Sequence, residues 1–168
     1  VSPRNVLVDR NDAAITAAID ASPAVRNVVS AYRTAASPLA NAEIATITGP
    51  ATNGANSAGE SDAGDLIADA QLQATQPAGL GGAVMAFMNA GGVRTPGFVS
   101  PAPVVYPYNV TYGNAFTVQP FGNSLVTMTL TTQQIKDLLE QQFIGCRGQT
   151  SQRILQISNG LSYTWNSA

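Results

Sequence analysis

Up to about residue 75, apolar residues recur at helical spacing. Ile15, Ala18 and Ile19 share one face of a short helix that Asn11 or Asp12 can cap. Val25, Val28, Val29 and Tyr32 stand at i, i+3, i+4 and i+7, which predicts a second helix with Ser22 as N-cap and Pro23 as its first residue. Ser37-Pro38 is expected to stop it, because proline removes a backbone donor and crowds the preceding turn. Gly49 to Gly59 has almost nothing to bury and abundant turn chemistry, so a loop is expected. Ser61 then caps a helix over 62–75, with Asp62 and Asp65 where the positive end of the helix dipole favours them.

Beyond residue 80 the pattern shortens. Ala83 to Met88 is a continuous apolar run between Gly81-Gly82 and Asn89, the signature of a strand buried on both faces. The Pro-rich stretch 96–107 is expected to be loop or edge. Ser124 to Leu130 alternates, with Val126, Met128 and Leu130 on one face, and predicts a strand. Thr131 and Gln134 form a capping box for a helix with Ile135, Leu138, Leu139 and Phe143 in one stripe. Arg153 to Ile157 and Leu161 to Trp165, around Ser158-Asn159-Gly160, predict a hairpin. Helices and strands mix without a regular alternation or internal repeat, so the expected class is α+β: a mixed sheet with packed helices, preceded by N-terminal helices.

Composition narrows the function classes. Only 11% of the 168 residues are charged while 45% are hydrophobic, which excludes charge-driven disorder. Eight basic residues against ten acidic ones leave a net charge of −2, too little positive charge for a nucleic-acid interface. Histidine is absent, removing the commonest general base and transition-metal ligand. The single Cys146 makes neither an intrachain disulfide nor a zinc cage. No apolar run approaches the ~20 residues that span a bilayer.

Three segments carry candidate chemistry. In Asn89-Ala90-Gly91-Gly92-Val93-Arg94, two glycines permit close backbone approach or positive φ, Asn89 can donate and accept, and Arg94 can fork onto an anion. The plainer reading is a glycine turn with an arginine in a surface ion pair. In Thr117 to Asn123, Pro120 and Gly122 bend the chain around Phe121, and Asn123 supplies a two-way amide. An exposed ring beside an amide suits a nucleobase, whereas a buried ring is a core residue at the foot of a strand. Asp62, Asp65 and Asp69 share a helix face, where either a metal or the helix dipole accounts for them.

Taken in order, Glu60-Ser61-x-x-Gly64-x-Leu66-Ile67-Ala68-Asp69-Ala70, Asn89-x-Gly91-Gly92-Val93-Arg94, Tyr112-Gly113-x-x-Phe116-Thr117-Val118-x-Pro120-Phe121-Gly122-Asn123, Leu130-Thr131-x-x-Gln134-Ile135 and Leu155-Gln156-Ile157-Ser158-x-Gly160-Leu161 make a longer pattern. It resembles the C-terminal domain of bacterial and animal 5′-nucleotidases over roughly residues 40 to 165. The resemblance implies a helical interdomain linker over 1–40 and a substrate-binding domain over 41–168, truncated at its C-terminal end.

By the same resemblance, Phe121 stacks on the base and Arg94 binds phosphate, with Asn89, Gly91, Gly92 and Asn123 in support. The parent protein is expected to be a secreted, periplasmic or cell-surface hydrolase acting on nucleoside monophosphates or related nucleotides. Two divalent metal ions are expected in an N-terminal metallophosphoesterase domain outside this chain, which should be inactive alone and hold no metal or cofactor itself. The expected partners are the nucleotide substrate and that catalytic domain. The second arginine usual before the Glu-Ser segment is missing from Ile47-Thr48-Gly49-Pro50. A diverged non-enzymatic binding or scaffold module of the same fold is the alternative.

Overall fold

Side-chain caps set where most of the helices begin. In the computed structural model, which describes residue 9 and residues 11–166, the chain divides between Ala42 and Glu43 into two compact units. The first holds α1 (Ala13–Asp20) and α2 (Pro23–Ala40). Asp12 caps α1 by accepting from the backbone N–H groups of Ala14 and Ile15. Residues 1–8 and 10 of the expected linker lie outside the described residues.

Pro38 does not end α2 as expected; it lies inside the last turn. That turn closes through Ser37, whose carbonyl accepts from Asn41 N at 3.0 Å and whose hydroxyl meets Asn41 Nδ2 at 2.9 Å. Proline forfeits one bond to the preceding turn and crowds it without forbidding helical geometry at the residues that follow, and α2 runs only two residues past it.

The second unit contains β1 (Glu43–Ile47), β2 (Ala51–Thr52), α3 (Asp62–Thr75), β3 (Phe87–Asn89), β4 (Gly97–Phe98), β5 (Tyr108–Thr111), α4 (Tyr112–Val118), α5 (Thr132–Glu140) and β6 (Leu155–Ile157). The α+β class holds, but the strands form three antiparallel two-stranded ladders, β1–β5, β2–β4 and β3–β6, rather than one mixed sheet. The helix predicted at 62–75 coincides with α3, and the one predicted after Thr131 corresponds to α5 except that α5 ends at Glu140, short of Phe143; each is capped by the expected side chain.

The strand expectations need correction. Of the run 83–88 only its end is strand, and Val84 is 82% exposed. Ser124 to Leu130 is extended in pattern but pairs with nothing, leaving Val126 and Met128 mostly exposed. The expected hairpin is absent: β6 pairs instead with β3, and 161–165 is not strand. Alternation specifies a pleated conformation, whereas pairing depends on a partner that alternation does not name. The expected loop 49–59 contains β2, and β4 interrupts the Pro-rich stretch. In β4, Gly97 takes φ 83° and leaves room for the Ala51 carbonyl.

The core of this unit is where α3 lies on the β3–β6 ladder, with Ala63, Ile67, Ala68, Met88, Val93 and Val118 buried and Phe98 against them. Small residues on α3 allow the close approach, and at Gly64 a Cβ would collide with the Gln156 side chain. Gln156 is completely buried and fully satisfied. Its Oε1 accepts from Ser61 N at 2.6 Å and Ser61 Oγ at 2.7 Å, and its Nε2 donates to the carbonyls of Gly59 and Ile154, each at 3.2 Å. The acidic face of α3 docks the same segment, with Asp65 Oδ1 accepting from Ile157 N at 3.2 Å and Asp69 Oδ1 from Asn159 N at 2.5 Å.

Gln156→Ala leaves Ser61 N–H and the Gly59 carbonyl without partners in the interior. It should cost about 3 kcal/mol of unfolding free energy, summing lost hydrogen bonds and a small cavity. Gln73→Ala, on the exposed side of α3, should stay within about 0.5 kcal/mol. Urea denaturation checks both, and equal small effects would remove Gln156 from its central role.

The Asp65 carboxyl is raised from its ordinary value by partial burial above all; the Ile157 N–H pulls it down, and Asp62 and Asp69 push it up. A carboxyl whose native pKa exceeds its unfolded one binds protons more readily in the fold, so its ionisation disfavours folding as pH rises. Asp65→Asn, which keeps an oxygen for Ile157 N–H, should therefore be more stable than wild type at pH 7. The two should converge as pH falls to about 4 and below, the ordinary aspartate range. Denaturation curves at both pH values test this, and a wild-type advantage at pH 7 contradicts it.

Candidate functional site

Arg94 leaves β3 through a single 3-10 turn, Ala90–Gly92, and its main chain is tied to the end of α4. Arg94 N donates to the Val118 carbonyl at 3.0 Å, and Gln119 Nε2 donates to the Gly92 carbonyl at 2.7 Å. Val93 and Val118 are buried behind this junction, so Arg94 faces outward from a fixed base. Position α4 depends in turn on the Thr111–Asn114 capping box that follows β5. The sequence reading did not identify α4, although Thr111 and Asn114 are the residues that signal it.

The Arg94 side chain makes two contacts. Nη1 donates to the Gly91 carbonyl at 3.1 Å, and the guanidinium carbon lies 5.0 Å from the centroid of the Phe121 ring. That distance is a cation–π contact. Phe121 is 41% exposed, so the core reading of this ring is set aside. No acidic side chain among the described residues forms an ion pair with Arg94, which sets aside the surface ion pair as well. The structure thus brings Arg94 and Phe121 together from segments 27 residues apart.

The remaining candidates divide. Asn123 is exposed near the ring in sequence and makes no hydrogen bond among the described residues. Asn89 and Gly91 are exposed on the turn, and Gly91 supplies the carbonyl that holds Arg94. Neither Gly91 nor Gly92 has positive φ. Gly92 is buried for a spatial reason, since a Cβ there would strike the Met88 methyl and crowd the Asn89 amide.

The carboxylates belong to packing. Asp65 and Asp69 accept backbone N–H groups, Asp62 stands in the first turn of α3, and Glu60 is raised from its ordinary value by partial burial first and by Asp65 second. A two-metal centre does not fit these residues: the sequence has no histidine, and among the described residues no three His, Cys, Asp or Glu side chains are placed to hold a metal ion. No helix is long and apolar enough to cross a membrane among the described residues. What the arrangement offers chemically is a held guanidinium beside an exposed aromatic face.

Two curated relatives share this sequence in part. The "Trifunctional nucleotide phosphoesterase protein YfkN" of Bacillus subtilis (strain 168) is 37% identical over 82 residues, 49% of this chain and 5% of that protein. The "Cell wall protein Lmo0130" of Listeria monocytogenes is 37% identical over 106 residues, 63% of this chain and 12% of that protein. The chain therefore corresponds to a small fraction of either relative's length. No solved structure matches it. Residues 43–168, the whole second unit and most of the sequence, match the family described as 5'-nucleotidase, C-terminal domain, and the chain belongs to that family.

Proposed function

We propose that this chain is the nucleotide-recognition part of a 5′-nucleotidase-like phosphohydrolase acting on nucleoside monophosphates or related nucleotides. In this reading residues 1–40 are a helical linker, residues 41–168 bind substrate, and the dimetal chemistry resides on a domain outside these 168 residues. The observation that carries the proposal is the Arg94 guanidinium 5.0 Å from the Phe121 ring, with both side chains exposed and the cation free of any carboxylate among the described residues. A base stacks on the ring, because every nucleobase presents a π-face. Phosphate engages the guanidinium through paired charge-assisted hydrogen bonds. Asn123 offers donor and acceptor to a base edge, and Asn89 with the Gly91-Gly92 turn borders the anion end. The nucleotide-phosphoesterase and cell-wall relatives support a hydrolase working outside the cytoplasm, secreted or at the cell surface.

Calorimetric titration of the chain with AMP and with adenosine tests the two roles separately. Phe121→Ala should cost about 1 to 3 kcal/mol of affinity for both ligands, the usual worth of base stacking. Arg94→Ala should weaken AMP by about 1.5 to 3 kcal/mol, the range for hydrogen bonds to a charged group, and leave adenosine nearly unchanged. Equal losses on AMP and adenosine for Arg94→Ala, or unaltered affinities for Phe121→Ala, overturn the assignment.

A further inference from the structure

The two faces of the β3–β6 ladder have different neighbours. Register pairs Met88 with Gln156 and Asn89 with Leu155. Met88 and Gln156 are buried in the packing with α3, so the alternation of strand side chains turns Asn89 and Leu155 the other way. Beyond the ends of these strands, Gly91 in the 3-10 turn after β3 and Arg153, two residues before β6, border the same region. Asn89, Gly91, Leu155 and Arg153 all line one open hollow of about 730 Å³, as do Gln149 and Gln152.

Arg153 is fixed at its backbone and free at its tip. Its N–H donates to the Gln142 carbonyl at 2.8 Å, and two residues on Leu155 N donates to Gln142 Oε1 at 2.6 Å. Gln142 is 3% exposed, and its Nε2 is committed to the Leu139 carbonyl and the Tyr163 hydroxyl. The guanidinium, by contrast, makes one long contact, Nε to Ser151 Oγ at 3.4 Å, and among the described residues it has no acidic partner. Its terminal N–H groups are available in a fork that matches a phosphate.

Gly91 links this hollow to the candidate site. It lines the hollow with Arg153, while its carbonyl holds Arg94 Nη1 at 3.1 Å. Gly91 is thus common to both groups, its carbonyl holding Arg94 and its backbone sharing the lining of the hollow with Arg153. Neither guanidinium has an acidic partner among the described residues, in a chain where charged residues make up only 11%. We infer that Arg153 is a second anion-binding guanidinium, which closes with Arg94 around the Asn89–Gly91 turn on the phosphate group of the ligand. This extends the nucleotide reading and rests on it for the ligand's identity, while the anion chemistry rests on the hollow and the two free cations.

Nitrogen-15 spectra of the arginine Nε–H groups in the 168-residue chain report each guanidinium directly. The signals are assigned from Arg94→Lys and Arg153→Lys, and inorganic phosphate, AMP and adenosine are titrated at constant ionic strength. The Arg94 and Arg153 signals should move together with phosphate and with AMP at one apparent dissociation constant, and adenosine should leave the Arg153 signal in place. Arg153→Gln should weaken AMP on the order of tenfold, as expected for losing a charge-assisted bond. An Arg153 signal that stays still with both anions, or AMP affinity in Arg153→Gln within about twofold of wild type, overturns the inference. If phosphate moves both arginine signals but adenosine does not perturb the Phe121 ring resonances, the nucleotide reading fails and the anion clamp stands.

Discussion

A single buried amide joins the elements from which the site is suspended. Gln156 contributes its backbone to β6 and its side chain to the start of α3, where it meets Ser61 twice and the Gly59 carbonyl once. An amide enclosed by protein loses its water, and leaving it unpaired costs more than the net gain from pairing it. Full satisfaction is thus a condition for closing the interior at this point. Once it is met, α3 is seated on the β3–β6 ladder, β3 has a fixed end, and the turn that presents Arg94 has a fixed origin. Gln142 repeats the device on the other side of β6, using main chain and side chain to hold 153–155 as a neighbouring strand would.

This reliance on glutamine follows from the composition. With so few charged residues the chain has little means of fixing loops by ion pairs, and short strands supply few ladder bonds. Neutral amides tie loops and helix ends instead, at Gln119, Gln142 and Gln156. Such bonds are directional and insensitive to salt, so they position a backbone more sharply than an exposed ion pair of similar strength does.

The parts of the fold legible in the sequence are those decided within one turn of chain. Ser61 before Gly64, and Thr131 before Gln134, announce their helices because cap and donor lie three residues apart. Strand pairing was not legible for the opposite reason: β3 meets β6 and β1 meets β5 across more than 60 residues, and nothing local distinguishes a paired extended segment from an unpaired one such as 124–130. The site shows the same division. Arg94 and Phe121 each stood out by residue type and turn chemistry, but their meeting depends on the Val118 carbonyl and Gln119 amide of α4, an element the pattern did not reveal. Arg153 gave no signal in sequence, because what makes it notable is the lack of a partner around its tip.

The resting contact between Arg94 and Phe121 has a strength suited to exchange. A cation over an exposed ring gains about 0.5 to 1 kcal/mol, less than the about 1.5 to 3 kcal/mol of a hydrogen bond to a charged group. The guanidinium is therefore parked by the ring and the Gly91 carbonyl, restricted in its rotamers yet released at little cost to an anion that offers paired oxygens. Holding a side chain near its working position before ligand arrives reduces the entropy lost on binding. A carboxylate partner in place of the ring would also hold Arg94, but it would neutralise the charge and compete directly with phosphate. An aromatic partner leaves the full charge in place, and in the proposed reading the ring uncovered as the guanidinium turns to phosphate is a surface on which a base stacks.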